Sequence, residues 1–140
     1  MSTTQRFERP LKVRFSHCDP AGIVFFPQYL VMFNGLIEDW VSDALGIAYA
    51  DLLGPRRVGL PTVSLSCEFS AISKMGDDIV LGLSLEHIGR SSIRLKLDLM
   101  KGATLCVAVQ QVLVTTNLDT HRAIAIPDDL RDALMKFQSV

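Results

Sequence analysis

The sequence predicts an α+β domain: a curved antiparallel five-stranded sheet wrapped around one long buried helix. Three observations carry this. The run "LKVRFSHC" at 11–18 alternates apolar and polar positions, as a half-buried strand does. From about Gln28 to Leu45 apolar residues recur at spacings of three and four, the period of a helix. From residue 62 onward, long alternating runs are joined mostly by tight turns, which imply antiparallel pairing. A sheet with one apolar face needs a cover, and one long apolar helix supplies it.

In the first strand Leu11, Val13, Phe15 and His17 share one face, and Lys12, Arg14 and Ser16 the other. The loop "DPAGIVFFP" follows. In the helix, Tyr29, Phe33, Leu36, Ile37, Trp40, Val41 and Ala44 form the inward stripe. Leu30, Val31 and Met32 make its first turns apolar nearly all round, so its start is expected to be buried on most sides. Pro27 suits the first helical position and Gly46 the stop. "IAYADLL" reads as a short helix before Gly54-Pro55. "TVSLSCEFSA" places Val63, Leu65, Cys67, Phe69 and Ala71 inward and Ser64, Ser66, Glu68 and Ser70 outward. "MGDD" turns into "IVLGLSLEHI", a turn around Gly89 leads to "SIRLKLDLM", and "KG" leads to "ATLCVAVQQVLVTTNL". The phase of that last run blurs at Gln110 and Gln111, which predicts a bulge. "IPDDLRDALMKF" is a short amphipathic helix with Pro127 and two aspartates at its start.

The 140 residues suit a single domain over 1–140, long enough to bury a core without staples. Hydrophobic residues make up 49% but aromatic ones only 7%, a composition that points to surface hidden in an oligomer. A net charge of -1 leaves no basic footprint for nucleic acid or an anionic membrane. No run approaches the length of a membrane span, and "MSTTQRFERP" lacks the apolar core of a signal peptide. Cys18, Cys67 and Cys106 are far apart and odd in number, so no disulfide framework is expected and a cytoplasmic location fits. Together with His17, His87 and His121 they show no zinc-ligand spacing, so no metal is expected.

Asp19 is the residue of interest. Asp-Pro before Ala-Gly is first of all a turn. Its place between a strand end and a helix start adds a second reading, because free N–H groups and partial positive charge gather at a helix N-terminus. A carboxylate beside donors that polarise a carbonyl suits acyl transfer. His17, two residues earlier on the same strand face, is a candidate partner; a histidine simply hydrogen-bonded at a strand end is the plainer reading. Cys18 points the other way and reads as packing. Serine-hydrolase, dinucleotide and P-loop signatures are absent. The "GRSS" turn at 89–92 offers Arg90, backbone N–H groups and hydroxyls to a phosphate, against the plainer reading of an ordinary hairpin turn. Arg56 and Arg57 in "GPRR" have the same phosphate reading, against the plainer one of a solvated loop.

"CDPAGIVFFPQY", followed by an apolar helix and antiparallel strands, resembles the hotdog-fold acyl-CoA thioesterases. The 4-hydroxybenzoyl-CoA thioesterase group, with its D-C-D-P-A-G-I-V-x-[YF]-P-x-Y signature, is the best match. The resemblance covers nearly the whole chain in element order and is dense in motif only over residues 15 to 33. It implies hydrolysis of an acyl-CoA thioester to a carboxylic acid and CoA, with an aromatic, benzoyl-type acyl group favoured. No cofactor is implied, since coenzyme A is part of the substrate. It also implies a homodimer at least, commonly a homotetramer, with active sites at the dimer interface. Asp19 matches the catalytic carboxylate, as nucleophile or general base. Carboxylates are weak bases near neutral pH, which favours direct attack. Phe26 matches the residue whose backbone N–H polarises the thioester carbonyl. Phe25, Tyr29 and Phe33 fall in or near the acyl-pocket segment, and Arg90 and Ser91 in the turn that contacts CoA phosphates. Three positions depart from the pattern. His17 stands where the signature has an aspartate, Asn34 where a helix aspartate receives the substrate phenol, and Leu60 where a threonine lines the pocket. Three other readings follow from the same residues: a dehydratase or hydratase on acyl thioesters, a non-catalytic acyl-CoA binder, and a structural oligomer.

Overall fold

The computed structural model describes residues 5–138. Residues 1–4 of the N-terminal stretch and 139–140 lie outside them. The chain runs β1 (Arg6–Lys12), a 3-10 turn (Phe15–His17), α1 (Phe26–Asp39), a π-helical turn (Trp40–Ala44), α2 (Tyr49–Leu53), β2 (Val58–Gly59) and β3 (Thr62–Phe69). Then come β4 (Asp78–Ile88), β5 (Ser92–Lys101), β6 (Thr104–Val114), β7 (Thr116–Asn117), β8 (Arg122–Ala123) and α3 (Asp128–Gln138). The five long strands form one antiparallel sheet, as the sequence predicts, in the order β1-β4-β5-β6-β3. β2, β7 and β8 add a three-stranded ribbon that two-residue strands give no periodicity to reveal.

The core lies between the sheet and α1. Ile79, Leu81, Leu83 and Leu85 of β4 and Ile93, Leu95, Leu97 and Leu99 of β5 are buried on one face. Phe33, Leu36, Ile37, Trp40 and Val41 meet them from the helix side. Each such side chain contributes about 1.5–3 kcal/mol on leaving water, so these rows dominate stability. α3 closes one end: Leu130, Leu134 and Phe137 are buried, and the Phe137 ring meets Trp40 edge-on at 5.6 Å. A two-bond fork from Arg56 to Asp129 ties the start of α3 to the segment after α2. The guanidinium holds the Asp129 carboxyl below the usual carboxylate range.

Several expectations are corrected. The first strand runs over residues 6–12, not 11–18. Its end is a 3-10 turn because the His17 ring takes the Arg14 N–H through Nδ1 at 2.9 Å, a local bond that competes with the ladder. Phe15 is therefore exposed, not inward. Pro10 is tolerated because β1 is an edge strand. The helix begins at Phe26, two residues early, and its Val31 is exposed in the single chain. At its end the Leu45 N–H bonds the Trp40 carbonyl, five residues back. That wider turn moves the inward position from Ala44 to Leu45.

β3 has the predicted alternation without the predicted burial. Val63, Leu65 and Phe69 are 60%, 43% and 51% exposed, because β3 is the far edge of the sheet. "MGDD" does not join neighbouring strands either: β4 pairs with β1 and β5, while β3 pairs with β6. The register runs unbroken through Gln110 and Gln111. The blur there is an amide in an apolar row: Gln111 is buried, and its Nε2 donates to the Thr62 hydroxyl at 2.8 Å.

Candidate active site

The crossing segment between β3 and β4 positions the Asp19 loop. The Val24 N–H donates to the Ser73 carbonyl, the Met75 N–H to Gly22, and the Gly76 N–H to Val13, at 2.8 to 3.0 Å. Within the loop the Asp19 N–H donates to the Ile23 carbonyl at 2.9 Å, and the Ala21 N–H donates to Asp19 Oδ1 at 2.8 Å. Gly22 sits at φ +79°, a conformation that L side chains rarely adopt. Asp19 is thus a turn residue in fact, with one carboxylate oxygen engaged. Being half-buried and fixed by backbone bonds also gives its second oxygen a defined place.

The loop leads straight into α1. The Phe25 N–H donates to the His17 carbonyl at 3.0 Å, closing the loop onto the helix start. Phe26 is the first helical residue, and no backbone carbonyl among the described residues accepts its N–H. A carboxylate and an unpartnered helix N-terminal donor therefore flank one short loop. His17 does not hydrogen-bond Asp19 among the described residues; its ring is turned to Arg14 and lies on a different cavity wall, with Val31 and Met32.

The aromatic residues divide. Phe25, Phe26, Phe69 and Tyr29 form a chain of ring contacts at 5.7 to 6.2 Å. Phe26, Tyr29 and Phe69 line an apolar groove of about 280 Å³ with Val24 and Ala71. Phe33 is buried in the core. Asn34 and Leu60, far apart in sequence, line one cavity of about 500 Å³. That cavity also holds Glu38, Tyr49 and Thr62, which sequence reasoning missed. Glu38 lies one helical turn beyond Asn34, a spacing that could have flagged it. Burial and then the Glu38 charge push the Tyr49 phenol up. Thr62 had no sequence signal, because its place depends on β3 reaching the helix. Arg90 and Ser91 sit together in the β4–β5 turn. Arg56 and Arg57 pair with Asp129 and Asp119. Among the described residues no group of three or more His, Cys, Asp or Glu is placed to hold a metal ion. No helix there is long and apolar enough to cross a membrane.

The profile of the thioesterase-like superfamily matches residues 13–134, a span that includes the Asp19 loop, α1 and every strand of the five-stranded sheet except β1. The chain belongs to the thioesterase-like superfamily. This thioesterase is 26% identical over 123 residues to a 1,4-dihydroxy-2-naphthoyl-CoA hydrolase of Synechococcus elongatus, covering 87% of this chain and 90% of that one. Its fold is shared with a 1,4-dihydroxy-2-naphthoyl-CoA thioesterase from Synechocystis, at a TM-score of 0.83 and 21% identity over 94% of this chain and 96% of that one. A gentisyl-coenzyme A thioesterase gives a TM-score of 0.83 at 23% identity, over 91% of this chain and 99% of that one. The expected hotdog architecture and acyl-CoA thioesterase class of the protein stand with these findings.

Proposed function

We propose that this thioesterase hydrolyses CoA esters of aromatic acids, with Asp19 as the reacting carboxylate. The unpartnered Phe26 N–H at the start of α1, joined to Asp19 by one hydrogen-bonded loop, is the observation that carries this reading. In the nucleophilic form, Asp19 attacks the thioester carbonyl carbon and the oxyanion forms against the Phe26 N–H and the positive end of α1. The C–S bond breaks, CoA leaves as a thiolate that takes up a proton, and water hydrolyses the mixed anhydride. In the general-base form the same carboxylate takes a proton from the attacking water. The aromatic groove of Phe26, Tyr29 and Phe69 and the aroyl substrates named for the relatives both support an aromatic acyl group.

Asn34 and Leu60 belong to the acyl pocket in this reading. Phe26 and Asn34 are eight residues apart, about 12 Å along a helix axis, so one chain's pocket is served best by a partner's thioester end. The site then lies between two copies, in a homodimer at least and a homotetramer when dimers pair. The unpaired edge of β3 with its exposed Val63, Leu65 and Phe69 supports this assembly.

The test is release of free thiol from benzoyl-CoA and alkyl-CoA esters by the wild type and Asp19→Asn. The variant is expected to lose at least about 10³-fold in kcat, with its fold intact. Unchanged turnover would sink the mechanism.

A further inference from the structure

The β4–β5 turn is held from one side by its carbonyls. Arg131, on α3, donates from Nη2 to the Gly89 carbonyl at 2.7 Å and to the Arg90 carbonyl at 3.0 Å. The Ile126 N–H also donates to the Arg90 carbonyl, at 2.9 Å. The Ser91 carbonyl takes the Thr115 N–H at 2.8 Å and the Thr115 hydroxyl at 3.3 Å.

Peptide planarity turns this into a statement about donors. A trans peptide points its N–H opposite to its carbonyl, and the described residues contain no cis bond. The Gly89 and Arg90 carbonyls face Arg131, so the Arg90 and Ser91 N–H groups face away from it. No backbone carbonyl among the described residues accepts either one. Two successive outward N–H groups make the concavity that binds anions. The exposed Arg90 side chain stands beside them, and Arg131 adds a second positive charge beneath the turn.

We propose that Arg131 is the positioning residue of a phosphate-binding turn: it pulls the Gly89 and Arg90 carbonyls inward, so that the Arg90 and Ser91 N–H groups meet the phosphates of CoA. This rests on the reading of Arg90 and Ser91 as CoA contacts. The nucleotide end is bound here and the thioester reacts elsewhere, so the loss of Arg131 changes KM and leaves kcat alone.

The experiment compares benzoyl-CoA with the benzoyl thioester of N-acetylcysteamine, which carries no phosphate. Arg131→Gln is expected to raise KM for benzoyl-CoA about tenfold, with kcat within about twofold. The N-acetylcysteamine ester should show no change. Arg131→Lys, which keeps the charge and loses the planar fork, should fall between, and it serves where the Gln variant does not fold. An unchanged KM in the Arg131 variants beside a raised KM in Arg90→Gln overturns the proposal and leaves the CoA reading standing. Equal increases for both esters also overturn it, as general damage. Unchanged KM in every variant removes the CoA reading and the proposal together. If the wild type cleaves neither ester, calorimetric titration with free CoA decides: about tenfold weaker binding to Arg131→Gln supports the proposal, and equal binding overturns it.

Discussion

Asp19 is a turn residue by its hydrogen bonds and the reacting carboxylate in the proposed mechanism. Its Oδ1 is spent on the Ala21 N–H, as any Asx turn would have it. The loop that this bond closes runs into a helix whose first N–H has no backbone acceptor among the described residues. That donor can be tested although it belongs to the backbone. Phe25 is extended, at φ -70° and ψ 123°, a conformation allowed before proline, and the first helical position tolerates proline. Phe26→Pro is thus expected to keep the helix while deleting the N–H. Its kcat should fall about 10²–10³-fold. Phe26→Ala, which keeps the N–H and removes the ring, should lose far less in kcat. Thiol-release kinetics on both variants check this, and equal losses would place the effect in the ring. Asp19, Cys18 and the aromatic run were legible in the sequence as a dense motif. The hydrogen bond from Arg14 N–H to the His17 ring was not, because a histidine in an alternating run looks the same whether it faces a sheet or caps a turn.

Among the elements, α1 followed its sequence pattern closely until the pattern met a local change of pitch. Tyr29, Phe33, Leu36, Ile37, Trp40 and Val41 are buried as the 3.6-residue period requires. The π-helical turn at Trp40–Ala44 then inserts one residue, so Leu45 takes the inward place that the period assigns to Ala44. Leu45→Ala is expected to lower stability by about 2–3 kcal/mol, and Ala44→Ser to change it by less than about 0.5 kcal/mol. Urea unfolding of the two variants measures the contrast; equal effects would contradict the register. Periodicity cannot reveal such an insertion, because both neighbours are apolar. Gln111 is the converse case. Its polarity suggested a shift of phase, yet the ladder is continuous and the amide is satisfied by Thr62, a partner 49 residues away.

For the whole molecule, the decisive feature is the edge formed by β3. Eight residues present a free row of backbone groups, and Val63, Leu65 and Phe69 stand exposed beside it. An antiparallel edge pairing with a second copy of itself satisfies both at once and gives a two-fold symmetric dimer. Leu65→Lys is expected to leave a monomer where the wild type forms the proposed dimer, with unchanged circular dichroism. It should also abolish thiol release, because the proposed site lies between copies. Light scattering with activity on the same sample checks both parts; a fully active monomer would contradict the interfacial site.

By itself the sequence determined the α+β class, the sheet and its central helix, the Asp19 loop and the aromatic run that follows it. Those depend on local patterns: alternation, helical period, turn residues and a contiguous motif. The tertiary structure alone decided the strand order, the exposure of β3, and the cavity that joins Asn34 and Leu60 to Glu38, Tyr49 and Thr62. It also decided the hold of Arg131 on the β4–β5 turn. The physical reason is that burial depends on which element covers a face. β3 carries the alternation of a core strand, yet it lies at the open edge of the sheet, where Val63, Leu65 and Phe69 stay exposed.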